Sequence, residues 1–457
     1  MHYSEFEGGV VMKVLKVLSF IFVLTVTLNS CGKESKASSD VKKPAFPAFT
    51  MTTDSDEVSI YADSEYITAV VKPYSIRGMN LNNSMQVAKV VDKANSLKIP
   101  TITYPAGNIG DTHDMTREMD FNFLSLQLAM LENIPFTFVQ TRVFGGTVEG
   151  ALQAVKNAEK VGVKVDVWSI GNEPDLYHRA HAPEWTAEYY AKVFREQVTA
   201  LKAYNKDIKV AGPMVSQPKD DWIRVFIKEC GDLVDVLAWH WYPTSGDASD
   251  EMALATASDI KEQIKRYRSW LKDPKMNPKG YKRDIKLALT EYAIHWNTPN
   301  KRHLGDMVGA MWLAEVVGYL AEGEIDFSHY FCFNEYGGHS LFEQGNYKPR
   351  PSYWVFNFYA NYFGTKTIAS ISSDEKVKVI SSKDDNKIYL IVVNQSKDKT
   401  KKLSLNILNT KSKFSKVIQN SLTGELKGPI LKSLTNDFSE NLKINLEPYS
   451  VNAIVIE

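Results

Sequence analysis

The chain has 457 residues, 54 basic and 54 acidic side chains, 44% hydrophobic residues and three cysteines. Such a length admits a large domain with an accessory one, and ample Leu, Ile, Val and Phe beside 24% charge exclude a mainly disordered chain. Balanced charge gives no bulk pull toward nucleic acid or anionic membrane, and three cysteines without a CxxC or Cys/His cluster make neither a disulfide scaffold nor a structural zinc site.

From Met12 the sequence reads MKVLKVLSFIFVLTVTLNSC. Lys13 and Lys16 precede an apolar run, Val17 to Leu28, too short for a comfortable membrane span but suited to a secretory signal. Leu28-Asn29-Ser30-Cys31 resembles a bacterial lipobox, which makes Cys31 the expected lipidation site. Residues 1–31 are therefore read as signal peptide and lipobox, and the polar stretch 32–44 as a flexible tether. Cys230 and Cys332 remain, and both are expected to be free thiols.

Residues 45–73 carry two strand-like pieces, Val58–Tyr61 and Tyr66–Val71, expected to join a sheet formed later in the chain. Over 74–364, runs dense in β-branched and aromatic residues alternate with amphipathic stretches. The predicted strands are Tyr74–Asn80, Pro100–Tyr104, Phe136–Thr141, Val163–Ile170, Ile208–Gly212, Val234–Trp241, Ile285–Tyr292 and Asp326–Phe333. Helices are predicted between and after them: Ser84–Leu97 with Ser84 as N-cap, Thr116–Leu131, Val148–Val161, Ala187–Ala203, Trp222–Cys230, Ile260–Trp270, Met307–Leu320 and Ser352–Tyr362. Eight strand–helix units indicate a (β/α)₈ TIM barrel; a doubly wound sheet is disfavoured because no GxGxxG follows the first strand. From Thr365 to Glu457 the hydrophobic period becomes two, as in Lys376–Val379, Ile388–Val393 and Leu403–Ile407. That predicts an accessory C-terminal antiparallel β-sandwich, so the fold class is α/β.

Barrel enzymes place their reactive groups where strands finish. The fourth strand runs into Gly171-Asn172-Glu173-Pro174, and the seventh ends on Leu289-Thr290-Glu291-Tyr292. Glu173 and Glu291 would thus face each other across one mouth, the arrangement needed to cleave a glycosidic bond with one carboxyl protonated and one ionised. Asp111, His113 and Asp114 invite a metal reading but lack a convergent third ligand set, so loop hydrogen bonding or substrate contact is expected and no metal. Tyr177, Trp241, Tyr292, Trp296 and Tyr336 are candidate stacking faces for sugar rings, Trp239 is expected in the core, and His178-Arg179 is a cue for an acidic sugar.

The glutamate segments resemble glycoside hydrolase clan A, the retaining barrels with an acid/base after strand four and a nucleophile after strand seven. The resemblance implies Glu173 as acid/base, Glu291 as nucleophile and Asn172 as donor to the substrate 2-hydroxyl. Trp239-His240-Trp241-Tyr242-Pro243 is similar to the clan's His-x-Tyr segment, which implies that Tyr242 holds the nucleophile and His240 lines the reacting subsite. Tyr104-Pro105-Ala106-Gly107-Asn108 resembles a Pro-Gly-Gly segment of the arabinofuranosidase, heparanase-like glucuronidase and xylosidase families, which makes Asn108 a binding candidate. Thr103 stands where the clan carries an Arg, with Arg77 or Arg142 as the candidate spatial replacement. Glu335, at the end of strand eight, is the chief rival carboxylate and is expected to contact sugar hydroxyls or cap its loop. The resemblance implies a retaining glycosidase, with a catalytically inactive glycan-binding lipoprotein as the alternative. No cofactor is expected, since both carboxylates come from the protein; the expected partner is a carbohydrate, with no nucleic acid given the balanced charge, a monomeric state, and, from the lipobox, a lipid anchor in a bacterial envelope as the link to the membrane.

Overall fold

The computed structural model describes residues 44, 46–82, 84–180, 182–297, 302–334, 337–424, 430–439 and 442–457. The signal segment with Cys31, the tether up to residue 43, and Glu335 and Tyr336 lie outside the described residues.

Eight parallel strands close into a barrel: β2 (Gly78–Asn80), β3 (Thr101–Tyr104), β4 (Phe136–Thr141), β5 (Val167–Ile170), β6 (Val210–Val215), β7 (Val236–Trp241), β8 (Lys286–Tyr292) and β9 (Phe327–Tyr330), with β9 returning to β2. Both faces of each strand are covered, by the barrel interior on one side and helices on the other. That is why they read as near-continuous apolar runs. The predicted strand β4 and helix Val148–Val161 coincide with the observed ones. This helix begins at Thr147, whose hydroxyl accepts from the Gly150 N–H, and ends at Gly162 with φ 79°.

The first predicted helix does not form as a unit. A 3₁₀ turn, Val87–Lys89, and a short helix, Val91–Ser96, replace Ser84–Leu97, and Ser84 does not cap either. Local side-chain bonds win here: the Asn82 carbonyl takes both the N–H (2.8 Å) and the hydroxyl (2.6 Å) of Ser84, while Gln127 accepts from the Gln86 N–H. The apolar spacing still delivers Val87, Val90 and Ala94 to the core.

Strand β1 is a single 14-residue strand, Glu57–Val70, in place of two pieces. Its pairing is irregular between Ala62 and Ile67, which is the gap seen in the sequence pattern. It joins β10 (Lys366–Ser372), β11 (Val377–Lys383), β12 (Ile388–Asn394), β13 (Lys401–Leu408), β14 (Lys416–Thr423), β15 (Ile430–Asp437), β16 (Lys443–Leu446) and β17 (Ser450–Ile456). The order is β15-β14-β17-β12-β11-β10-β1-β13-β16, antiparallel except for the β1–β13 pair. The sheet folds over its own core. Gln419 on β14 donates to the Asn445 carbonyl on β16, far along that order, at 2.9 Å, and Val58, Ile60, Leu390, Leu403, Ile444 and Ile454 meet inside.

Helix Met307–Glu322 lies between barrel and sheet, packed against β1, β11, β12 and β17. Nearly all of it is buried, which explains its apolar character on every face. Gly318 permits the approach: a Cβ there would sit 2.4 Å from Ile380 Cγ1. Cys230 and Cys332 are both free and buried.

Candidate active site

The C-terminal ends of the strands surround a cavity of about 430 Å³. Glu173 and Glu291 both line it, with a carboxylate oxygen of each within 4.8 Å of the other. Glu173 lies just past β5 in a turn that leaves the strand through Gly171 (φ 81°), where a Cβ would meet Val143 at 2.5 Å. Glu173 itself is left-handed, φ 40°. Glu291 is the penultimate residue of β8 and pairs in register with His240 on β7, beyond a bulge at Trp239/His240.

His240 and Tyr242 tie the two carboxylates together. His240 Nδ1 lies 3.0 Å from Glu173 Oε1 and 3.6 Å from Glu291 Oε2, and the Tyr242 hydroxyl donates to Glu291 Oε2 at 2.8 Å. Burial pushes the Glu291 carboxyl up to about 7; the His240 ring and the Tyr242 hydroxyl pull against this, and the Glu173 charge adds to it. Burial alone would lower His240, but the Glu291 charge and the contact with Glu173 outweigh it and raise the ring. Tyr242 is held well above 10 by burial and then by Glu291, so it stays a donor. Around neutral pH Glu291 therefore stands between its protonated and ionised forms. The same three groups, Glu173, His240 and Glu291, converge closely enough to hold a small cation. In this structure they are instead bonded to one another and to Tyr242.

The other predicted residues separate into those on the cavity wall and those behind it. Asn108, Tyr242 and Trp296 line the cavity, and Trp296 is 59% exposed. Asn172 is fully buried one layer back: its Nδ2 donates to Asp111 Oδ2 (3.1 Å) and Asn108 Oδ1 (3.4 Å), so that Asn172 Oδ1 has no partner among the described residues. Asp111 is pushed up to about 6 by burial, against its bonds from Tyr177 and Asn172. His113 pairs with Asp120 and Asp114 with Arg142, so the three polar residues of that segment do not converge.

Several stacking candidates are corrected. Tyr177 offers no face to the cavity; it is buried against Phe144 and Trp185, and its single hydroxyl proton is shared between Asp111 and the Asn172 carbonyl, both within bonding reach. Trp241 is 3% exposed and packs 5.3 Å from Trp312. Side chains alternate along a strand, so His240 points into the barrel while Trp239 and Trp241 face the helices. Tyr292, following Glu291, is likewise buried, against Tyr330. Neither arginine substitutes for the missing one. Arg77 donates to the carbonyls of Leu97 and Lys98, and Arg142 is spent on Asp114 and the Phe144 carbonyl. Thr103 instead shares His329 with Thr101, at 3.1 and 2.9 Å, and burial pushes that histidine down to about 3.

Ser216, Gln217, Leu176, Arg179, Phe331 and His339 complete the wall. Ser216 and Gln217 follow β6, whose sequence ends without an acidic or aromatic marker, so only the barrel geometry brings them to the site. Gly107 (φ 56°) lets the backbone approach; a Cβ there would lie 3.1 Å from Phe331 and 3.8 Å from Glu291 Oε1.

The barrel shares its fold with solved glycosidases. Residues 119–274 match the family model of the glycosyl hydrolase catalytic core, a stretch that contains Glu173, His240 and Tyr242 but stops before Glu291. Heparanase of Rattus norvegicus is 25% identical over 209 residues, 44% of this chain and 38% of that protein. Inactive heparanase-2 of Mus musculus is 24% identical over 213 residues, 44% of this chain and 34% of that one. The chain thus spans well under half the length of the curated relatives it matches. Among solved structures, an α-L-arabinofuranosidase from Thermotoga maritima superposes with a TM-score of 0.71 at 16% identity, covering 87% of this chain and 99% of that one. A family 44 xyloglucanase from Paenibacillus polymyxa gives 0.65 at 14% identity, covering 88% and 100%. The chain is thus similar in sequence, over part of its length, to a glycosyl hydrolase catalytic core and to heparanases, and similar in fold to solved glycosidases.

Proposed function

We propose that the protein is a retaining glycosidase acting on a polysaccharide or oligosaccharide. Glu291 attacks the anomeric carbon while Glu173 protonates the leaving oxygen; Glu173 then takes a proton from water, which releases the sugar from Glu291. The observation that carries this reading is the approach of the two carboxylates: one oxygen of each lies within 4.8 Å of the other, closer to the roughly 5–5.5 Å of retaining pairs than to the roughly 6.5–9.5 Å that leaves room for an inverting water. Tyr242 supports the assignment, because its donated bond steers Glu291 and favours the ionised form needed for attack. Trapping with a panel of 2-deoxy-2-fluoro glycosides, followed by peptide mass spectrometry, tests it. A label on Glu291 supports the mechanism, and a label on Glu335 reassigns the nucleophile.

A non-catalytic glycan-binding protein is the second reading, favoured by one observation: a relative bearing the name inactive heparanase-2 matches as well as heparanase does. Binding to glycans without hydrolysis across a broad panel would establish it. Export and lipid anchoring at Cys31 are part of the proposal. Incorporation of an alkyne fatty acid during bacterial expression, lost in Cys31→Ala, checks them.

A further inference from the structure

The Glu173 carboxylate is held at its tip by the facing strand, through His240, and by no side chain of its own loop among the described residues. Its aim therefore depends on the backbone that carries it. That backbone is left-handed at Glu173 (φ 40°), and so is the neighbouring strand exit at Met214 (φ 61°), both non-glycine positions that need outside support. Two stitches hold these exits together. The Glu173 N–H donates to the Met214 carbonyl at 2.9 Å. Two residues on, the fully buried Asp175 carboxylate accepts from the Ser216 N–H (2.9 Å) and the Ser216 hydroxyl (2.6 Å), and pairs with Lys219 Nζ at 2.7 Å.

Resting on the glycosidase reading, we infer that Asp175 is a positioning residue for the acid/base: it fixes the loop after β5 to the end of β6 and so sets the direction from which Glu173 reaches the leaving oxygen. Nothing in the reaction requires Asp175 to touch the sugar. Its carboxylate is spent on Ser216 and Lys219, on the loop side of the cavity wall. The charge matters as well as the shape, since three donors converge on it and an amide would present N–H to at least one of them.

Loss of a buried ion pair lowers stability whatever its role, so a fall in melting temperature decides nothing. Leaving-group dependence does. A departing 2,4-dinitrophenolate needs no proton, whereas an unsubstituted phenol does. The test measures kcat/KM, which reports the first chemical step, for phenyl and 2,4-dinitrophenyl glycosides of arabinofuranose, xylose and glucuronic acid. For Asp175→Asn the phenyl glycoside is expected to fall by about 100-fold, as for a misplaced catalytic group. The dinitrophenyl glycoside is expected to stay within about threefold of wild type, because protonation contributes little there. Lys219→Met, which keeps the carboxylate and removes one partner, is expected to show the same pattern with a smaller loss, and it decides the matter if Asp175→Asn does not fold. A uniform loss on both substrates, or none on the phenyl glycoside, overturns the positioning role while leaving the glycosidase reading intact. A wild-type protein that cleaves neither class, nor any of a broad panel of oligosaccharides and polysaccharides, overturns both.

Discussion

Glu291→Gln removes the charge from the more deeply buried of the two facing glutamates while keeping its shape. Glu291 Oε2, which accepts from Tyr242, becomes or remains an amide carbonyl; Oε1 has no partner among the described residues, so an NH₂ there breaks no bond. The folded carboxyl is raised to about 7 from an ordinary 4.5, so folding favours its protonated form. The stability this gives is complete below about 4.5 and is lost as pH rises through about 7. Above that, ionised Glu291 costs on the order of 3 kcal/mol, from about 2.5 pH at roughly 1.36 kcal/mol each. A glutamine does not titrate and avoids that cost. Part of the gain is offset, because the Glu291 charge also helps keep His240 protonated. At pH 8 the variant should therefore be about 1–3 kcal/mol more stable than wild type, with the advantage shrinking toward zero near pH 4.5. Paired urea melts at pH 5 and pH 8, followed by tryptophan fluorescence, measure it. A variant less stable at pH 8, or equally advantaged at both pH values, would refute the claim that this carboxylate is electrostatically uncomfortable in the folded protein.

The same charge predicts kinetics: kcat/KM should rise with pH through an acid limb near 7, as Glu291 ionises, and a limb at an ordinary carboxylate value near 4 would contradict the burial argument. Tyr242→Phe removes the hydroxyl bonded to Glu291 and should lower kcat by about 10- to 100-fold, the worth of a hydrogen bond to a charged group, with an unchanged circular dichroism spectrum. Trp296→Ala and Trp241→Ala should behave oppositely: the exposed Trp296 should raise KM at unaltered stability, while the buried Trp241 should cost about 3–5 kcal/mol of stability. Dialysis against EDTA should leave activity unchanged; a loss restored by a divalent cation would assign Glu173, His240 and Glu291 to a metal instead.

Much of the barrel was legible because buried parallel strands leave a dense apolar signature that short-range reading detects. Glu173 and Glu291 were legible because each sits at the exit of such a strand. Strand alternation sends Trp241 and Tyr292 outward, because their neighbours His240 and Glu291 occupy the barrel side. The burial of Tyr177 is not legible in the sequence, because the position lies beyond a strand end, where a 3₁₀ turn, Pro174–Ala180, folds it back under Asn172. Ser84 misled because an Asx turn from Asn82 competes with helix capping for the same residue types. Asp175, Ser216 and Lys219 were beyond reach: their contact joins two strand exits about 40 positions apart, and no periodicity encodes which loops become neighbours around a barrel.

Strand β1 emerges from the ribosome before any barrel strand, yet both of its neighbours, β10 and β13, are made after the last one. At about 5–20 residues per second, the roughly 300 residues between them keep β1 waiting some 15–60 s with two bare edges. The sheet is thus the final part of the molecule to close.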